Sequence, residues 1–164
     1  MVSPLTSLYV SGSANVQGTG IQSHQLQIIA RDNAVVYLRG KLDVLQIQNN
    51  SKGNMDLEQI HSPYLNLINQ GSGRTKLAGD VDNFSAQLTH SAVVDARGLN
   101  AKEIHARTQD QALIHVSPIS ALYAFAYSQS NIYYYRIPNN LMVFNTHSSG
   151  NILRIQSFVP PLIP

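Results

Sequence analysis

Apolar pairs begin at Leu8, Leu26, Leu45, Leu65, Phe84, Ile104, Leu122 and Leu141, at intervals of 18, 19, 20, 19, 20, 18 and 19 residues. A repeat this short, carried from one end of a 164-residue chain to the other, leaves few folds open. One unit of about 19 residues cannot bury an apolar face by itself and must bury it against the copies before and after it, so the period predicts a solenoid.

The grammar inside each repeat is that of strands. With the first apolar residue at offset zero, offset two is again apolar or small: Val10, Ile28, Ile47, Leu67, Ala86, Ala106, Ala124 and Val143. A second alternating pair follows at offsets ten and twelve, as in Val36 and Leu38, Met55 and Leu57, Val94 and Ala96, Ile114 and Val116, and Ile132 and Tyr134. Alternation with period two places successive side chains on opposite faces of a strand, whereas a helix needs spacings of three and four. A looser third apolar position recurs at Val44, Ile60, Val81, Leu99, Ile119 and Ile137. Three short sides per coil predict an all-β, single-stranded parallel β-helix of about eight coils.

Between the two strands lie polar corners such as Ser11-Gly12-Ser13, Arg31-Asp32-Asn33, Gln70-Gly71-Ser72-Gly73, Gln109-Asp110-Gln111 and Ser128-Gln129-Ser130. Gly reaches positive φ without a steric cost, and Asn, Asp and Ser bond back to nearby backbone, so these types turn a chain readily. Several corners hold no glycine, and there the geometry is expected to differ.

The chain reads as one domain over residues 1–164 that ends in a proline-rich tail, 156–164. Only 12% of residues are charged and the net charge is +2, with Lys and Arg scattered rather than clustered. Nucleic acid is therefore not an expected partner, because phosphate binding calls for grouped cations. No stretch reaches the roughly 20 apolar residues of a membrane helix. Cysteine is absent, and the six histidines show no metal-ligand spacing, so neither a metal nor a cofactor is expected.

These segments resemble the head domain of bacterial auto-transporter adhesins, the GIN domain. Val10-Ser11-Gly12-Ser13-Ala14-Asn15-Val16 is similar to its opening coil, and Leu67 to Gly73 carries the Gly-Ser-Gly corner. Val94-Asp95-Ala96 with Leu99 and Ala101 is similar to its central segment, and Leu122 to Pro138 to its closing coil, where a Tyr strand leads to a Pro. The resemblance covers residues 8–138, beyond which Leu141 to Ile155 reads as one added coil. It implies a right-handed parallel β-helix of the cell envelope or exterior, with a leader peptide removed ahead of this sequence and no established set of enzymatic residues. The sequence by itself leaves a cytoplasmic location open.

If Leu122, Ala124 and Ala126 point inward, then Tyr123, Phe125 and Tyr127 point outward, and Met142 and Phe144 continue that face one coil later. Tyr133 and Tyr135 flank Tyr134 on the neighbouring side. An aromatic patch on a chain with few charges suits a ligand or an interface, and these seven residues are the candidate contact set. A covering role for the tail is the competing reading. The expected function is adhesion or surface interaction through outward ladders, with a glycan, a surface protein or a second copy as partner. A self-assembling scaffold resembling bactofilins is the alternative, because solenoid ends invite addition. A carbohydrate-active enzyme is a more distant one. Its best polar pair is His90 with Asp110, one coil apart at the same offset, and Asp80, Asp82, Arg97, Lys102 and Arg107 read as solvated turn charges.

Overall fold

The computed structural model describes residues 3–145 and 149–156. Its elements are β1 (Leu5–Val10), β2 (Asn15–Asp32), β3 (Val35–Leu42), β4 (Val44–Ser51), β5 (Met55–Asn69), β6 (Arg74–Leu88), β7 (Val93–Thr108), β8 (Leu113–Ala126), β9 (Asn131–Tyr134), β10 (Asn140–Asn145) and β11 (Asn151–Arg154). Every strand pairing is parallel, each coil lying on the next about 17 to 20 residues later. The chain is thus a β-solenoid of about eight turns, roughly 40 Å long at the ~4.8 Å spacing of paired strands. The added coil is present: β10 pairs with β8 and β11 with β9.

The inward ladders make the core. On the first face Leu65, Phe84, Ile104 and Leu122 stack in register, beside Leu67, Ala86, Ala106 and Ala124. On the second face Val36, Met55, Thr75, Val94, Ile114 and Ile132 form one column. All of these are buried. Burying each larger aliphatic or aromatic side chain stabilises the fold by about 1.5–3 kcal/mol relative to exposure, but only if the coil above and the coil below are both in place.

Register departs from the sequence period in three places. Leu8 pairs with Ile28 rather than Leu26, because the strand pairing slips between Leu5 and Ser7. In the third coil a bulge puts Val44, not Leu45, against Leu26, and Leu45 is only half-buried. The third apolar side fails at Ile119 and Ile137, which are 43% and 62% exposed. There the coil is shortened: Asn100 pairs with Ser117 directly after Ala96 pairs with Val116, so Arg97 to Leu99 have no counterpart. Pro118 consequently takes the core position below Ala101, and Pro138 rather than Ile137 is buried one coil on.

The corners fall into two kinds, and the expected difference between glycine and non-glycine corners does not follow glycine content. Asp32, His90, Asp110 and Ser128 adopt φ of 58–64°, close to the 67° of Gly12. A non-glycine residue in that left-handed region costs about 1 kcal/mol. At two rungs a carboxylate offsets that cost: Asp32 Oδ2 accepts the Gly12 amide at 2.9 Å, and Asp110 Oδ2 the His90 amide at 3.0 Å. The Gly-rich corners at residues 53 and 71–73 avoid positive φ altogether. Their glycines supply room, since a Cβ on Gly71 would strike the Ser51 carbonyl oxygen and one on Gly73 that of Gly53. Inward Asn49 and Asn69 cap these corners, each side-chain oxygen accepting the amide two residues on at 3.0 and 3.1 Å. Both Asn amides donate to the buried hydroxyl of Thr75, at 2.9 and 3.1 Å.

Candidate functional site

The outward residues of β7 to β10 form the aromatic face that the alternation predicts. Leu122, Ala124 and Ala126 are buried, which turns Tyr123, Phe125 and Tyr127 toward the surface, where each is partly exposed. Parallel pairing sets His105 over Tyr123 and Arg107 over Phe125 on one side, and Met142 under Tyr123 on the other. The rings of His105 and Tyr123 stack at 4.5 Å with their planes 10° apart, and His105 Nε2 lies 2.7 Å from Glu103 Oε1. The Arg107 guanidinium sits over both Phe125 and Tyr127, at 5.6 and 5.7 Å from the ring centres. Met142 is 46% exposed. Phe144 pairs by backbone with Phe125, and its side chain lies outside the described residues, as do His147 and 157–164, the part of the tail proposed as a cover.

Tyr133 and Tyr135 belong to a different cluster on the second face. Both rings lie against His115, with centres 5.4 and 5.8 Å away, and Tyr135 Oη is 2.7 Å from His115 Nδ1. Beside them, Arg97 grips Asp95 through two bonds, Nε to Oδ1 at 2.8 Å and Nη2 to Oδ2 at 2.6 Å. Arg74 approaches the same carboxylate at 3.5 Å, and the Arg97 guanidinium lies over the Tyr135 ring. Asp95 is only 6% exposed. The hydrogen bonds from Arg97 outweigh burial and hold its carboxyl at about 2, and the same contact pushes the guanidinium of Arg97 further up. Burial pushes His115 below the usual imidazole range against the opposing pull of Asp95. The aromatic signal in the sequence located Tyr133 and Tyr135 but not Asp95, Arg97 and His115, which read singly as ordinary surface polar residues and meet only through stacking.

His90 and Asp110 are one rung apart, but the carboxylate accepts from the His90 backbone amide rather than from its ring. The His90 Nδ1 atom is instead 3.0 Å from the Thr89 hydroxyl. Asp110 is thus a corner cap in this structure, and the pair does not couple a carboxylate to an imidazole. These residues line an open groove of about 610 Å³ along the stacked corners with Gln111, Ser128 and Gln129. Asp82 pairs with Lys102 at 2.6 Å and Asp80 accepts from Asn100 at 3.0 Å, both at the surface. Among the described residues no three His, Cys, Asp or Glu side chains are grouped to hold a metal ion.

Residues 2–138 match the profile of the family described as "Putative auto-transporter adhesin, head GIN domain". The chain belongs to this family. The GIN-domain assignment accounts for all coils up to Pro138, and the β10–β11 coil lies beyond the matched region. Two solved structures share the fold. A putative adhesin from Bacteroides fragilis superimposes with a TM-score of 0.82 at 16% identity, over 94% of this chain and 94% of that chain. A putative lipid binding protein from Parabacteroides distasonis gives 0.77 at 22% identity, over 92% of this chain and 62% of that one. No curated protein matches the sequence.

Proposed function

We propose that this GIN domain is a non-catalytic display module of the bacterial surface, a rigid rod that binds a glycan or surface-protein partner through its outward side chains. The observation that carries this reading is the contiguous surface formed by Tyr123, Phe125, Tyr127 and Met142 across two coils, backed by His105 and Arg107. Aromatic rings held at fixed spacing by a rigid backbone offer large contact area with little side-chain entropy to lose, the usual composition of binding hot spots. Family membership and the neighbour named as an adhesin support a surface location and an adhesive role. Tyr133 and Tyr135, packed against His115, form a second, polar-aromatic surface on the adjoining face.

The test is binding of the purified domain to an array of glycans and to surface-protein extracts, compared with a Tyr123→Ser, Phe125→Ser double variant. Both positions point outward, so the variant keeps its far-UV spectrum and loses binding. Equal binding by both proteins removes the aromatic face as the anchor.

A scaffold reading draws on a separate observation. In the last coil Leu141 and Val143, which continue inward columns, are each 43% exposed, and Leu8 and Val16 in the first coil are only half-buried. Light scattering over a wide concentration range, with electron microscopy, separates the two: filaments favour end-to-end assembly, and a monomer or small oligomer favours display.

A further inference from the structure

We infer that the ligand of the aromatic face is an acidic polysaccharide, whose carboxylates are taken by Arg107; this rests on the display reading and narrows it. The first outward ladder of this face runs Ser7, Gln27, Gln46, Asn66, Ser85, His105, Tyr123 and Met142, and the second runs Tyr9, Ile29, Gln48, Ile68, Gln87, Arg107 and Phe125. Neither contains a carboxylate. Glu103, at the margin, is engaged by His105. Arg107 is exposed, and no ion pair joins it to a carboxylate among the described residues. By contrast Arg97 on the second face is held by the buried Asp95. Arg31, at the far end of the same face, likewise lies over a ring, that of Tyr9 at 5.9 Å.

A guanidinium stacked on aromatic rings is fixed in orientation while its in-plane N–H groups remain able to grip a carboxylate through two parallel bonds. Beside it the Tyr123 and Tyr127 rings, each with one face already covered by His105 or Arg107, offer their exposed edges for sugar rings to pack on, and Gln87, Ser85 and Asn66 offer neutral donors and acceptors for hydroxyls. Arg31 and Arg107 are four coils apart, about 19 Å at the strand spacing, so a linear polymer lying along the rod meets a cation near each end of the face. Two other occupants fit less well. The backbone donors and acceptors of this face are used between coils, so an extended peptide finds no edge to pair with there. An anionic membrane surface needs an unbroken apolar stripe, which Gln46, Asn66, Gln48 and Gln87 interrupt.

The experiment is titration calorimetry of the folded domain with oligogalacturonate, with an uncharged dextran oligosaccharide and with phosphatidylglycerol vesicles, repeated for Arg107→Gln, Arg107→Lys and the second-face control Arg39→Gln. Oligogalacturonate should bind and dextran bind at least tenfold more weakly. Arg107→Gln should lose at least tenfold for the acid, Arg107→Lys should lose part of that, and Arg39→Gln should match the parent. Raising salt should weaken the acid alone. Equal affinity for dextran, unchanged affinity in Arg107→Gln, or binding to vesicles without oligogalacturonate each overturns the acidic-glycan assignment while leaving a display module in place. Undiminished binding of every ligand by the Tyr123→Ser, Phe125→Ser variant removes the aromatic face as the anchor, and with it the reading on which this proposal rests.

Discussion

Replacing Asp95 by Asn should remove a stabilising charge whose size can be read from its surroundings. The carboxyl is held at about 2 instead of 3.8, chiefly by the two bonds from Arg97. With each pKa unit equal to about 1.4 kcal/mol, the ionised group contributes about 2.5 kcal/mol to the folded state before screening. The side chains of Arg97 and Arg74 are 51% and 60% exposed, so solvent screening lowers this to about 1.5 kcal/mol. Because the folded pKa lies below the unfolded one, this contribution is complete above about pH 5, shrinks as the pH falls through 3.8 and is gone below about 2. Asn also places an amide donor beside two guanidinium groups, which adds a cost that does not depend on pH. Urea unfolding of both proteins, followed by circular dichroism from pH 7 to pH 2, separates the two parts. The stability difference should narrow by about 1.5 kcal/mol toward acid, with other carboxylates cancelling between the proteins. A difference that stays constant across that range would refute the assignment of the charge to folding.

Gly73→Ala forces a Cβ against the Gly53 carbonyl oxygen and should cost about 3 kcal/mol or more, whereas Gly12→Ala, with open space around it, should cost only the ~1 kcal/mol of a left-handed φ; thermal unfolding distinguishes them. Thr75→Val keeps the shape of the core but strands the buried amides of Asn49 and Asn69, for an expected loss of about 3 kcal/mol, and Thr75→Ser should recover most of it in the same denaturation assay. The His115 imidazole should titrate below 6.5 by NMR, moving lower in Asp95→Asn and higher in Arg97→Gln; shifts of the opposite sign would contradict the local field described here.

Strand, corner and coil number were legible because a solenoid writes its tertiary contacts into a one-dimensional period. Alternation also oriented Tyr123, Phe125 and Tyr127, since Leu122, Ala124 and Ala126 could only face the core. Where a coil gains or loses residues, the period misplaces side chains. Leu26 thus pairs with Val44 across a bulge, and Ile119 is turned out because Pro118 occupies the core position below Ala101. Glycine was similarly ambiguous by type: Gly12 is used for its φ and Gly73 for its lack of a side chain, a distinction made only by what the neighbouring coil brings close.

The sequence by itself determined that this chain must stack short parallel strands and show aromatic side chains on its last coils, because apolar spacing dictates which atoms leave water. Only the tertiary structure decided which polar groups meet across coils. Asp95 with Arg97 and Arg74, His115 with Tyr135, Asp110 with the His90 amide and Arg107 with Phe125 depend on register to within one residue, and a single bulge changes every such partnership beyond it. Burial is specified by pattern, while pairing is specified by position, and position is fixed only when the coils close on one another.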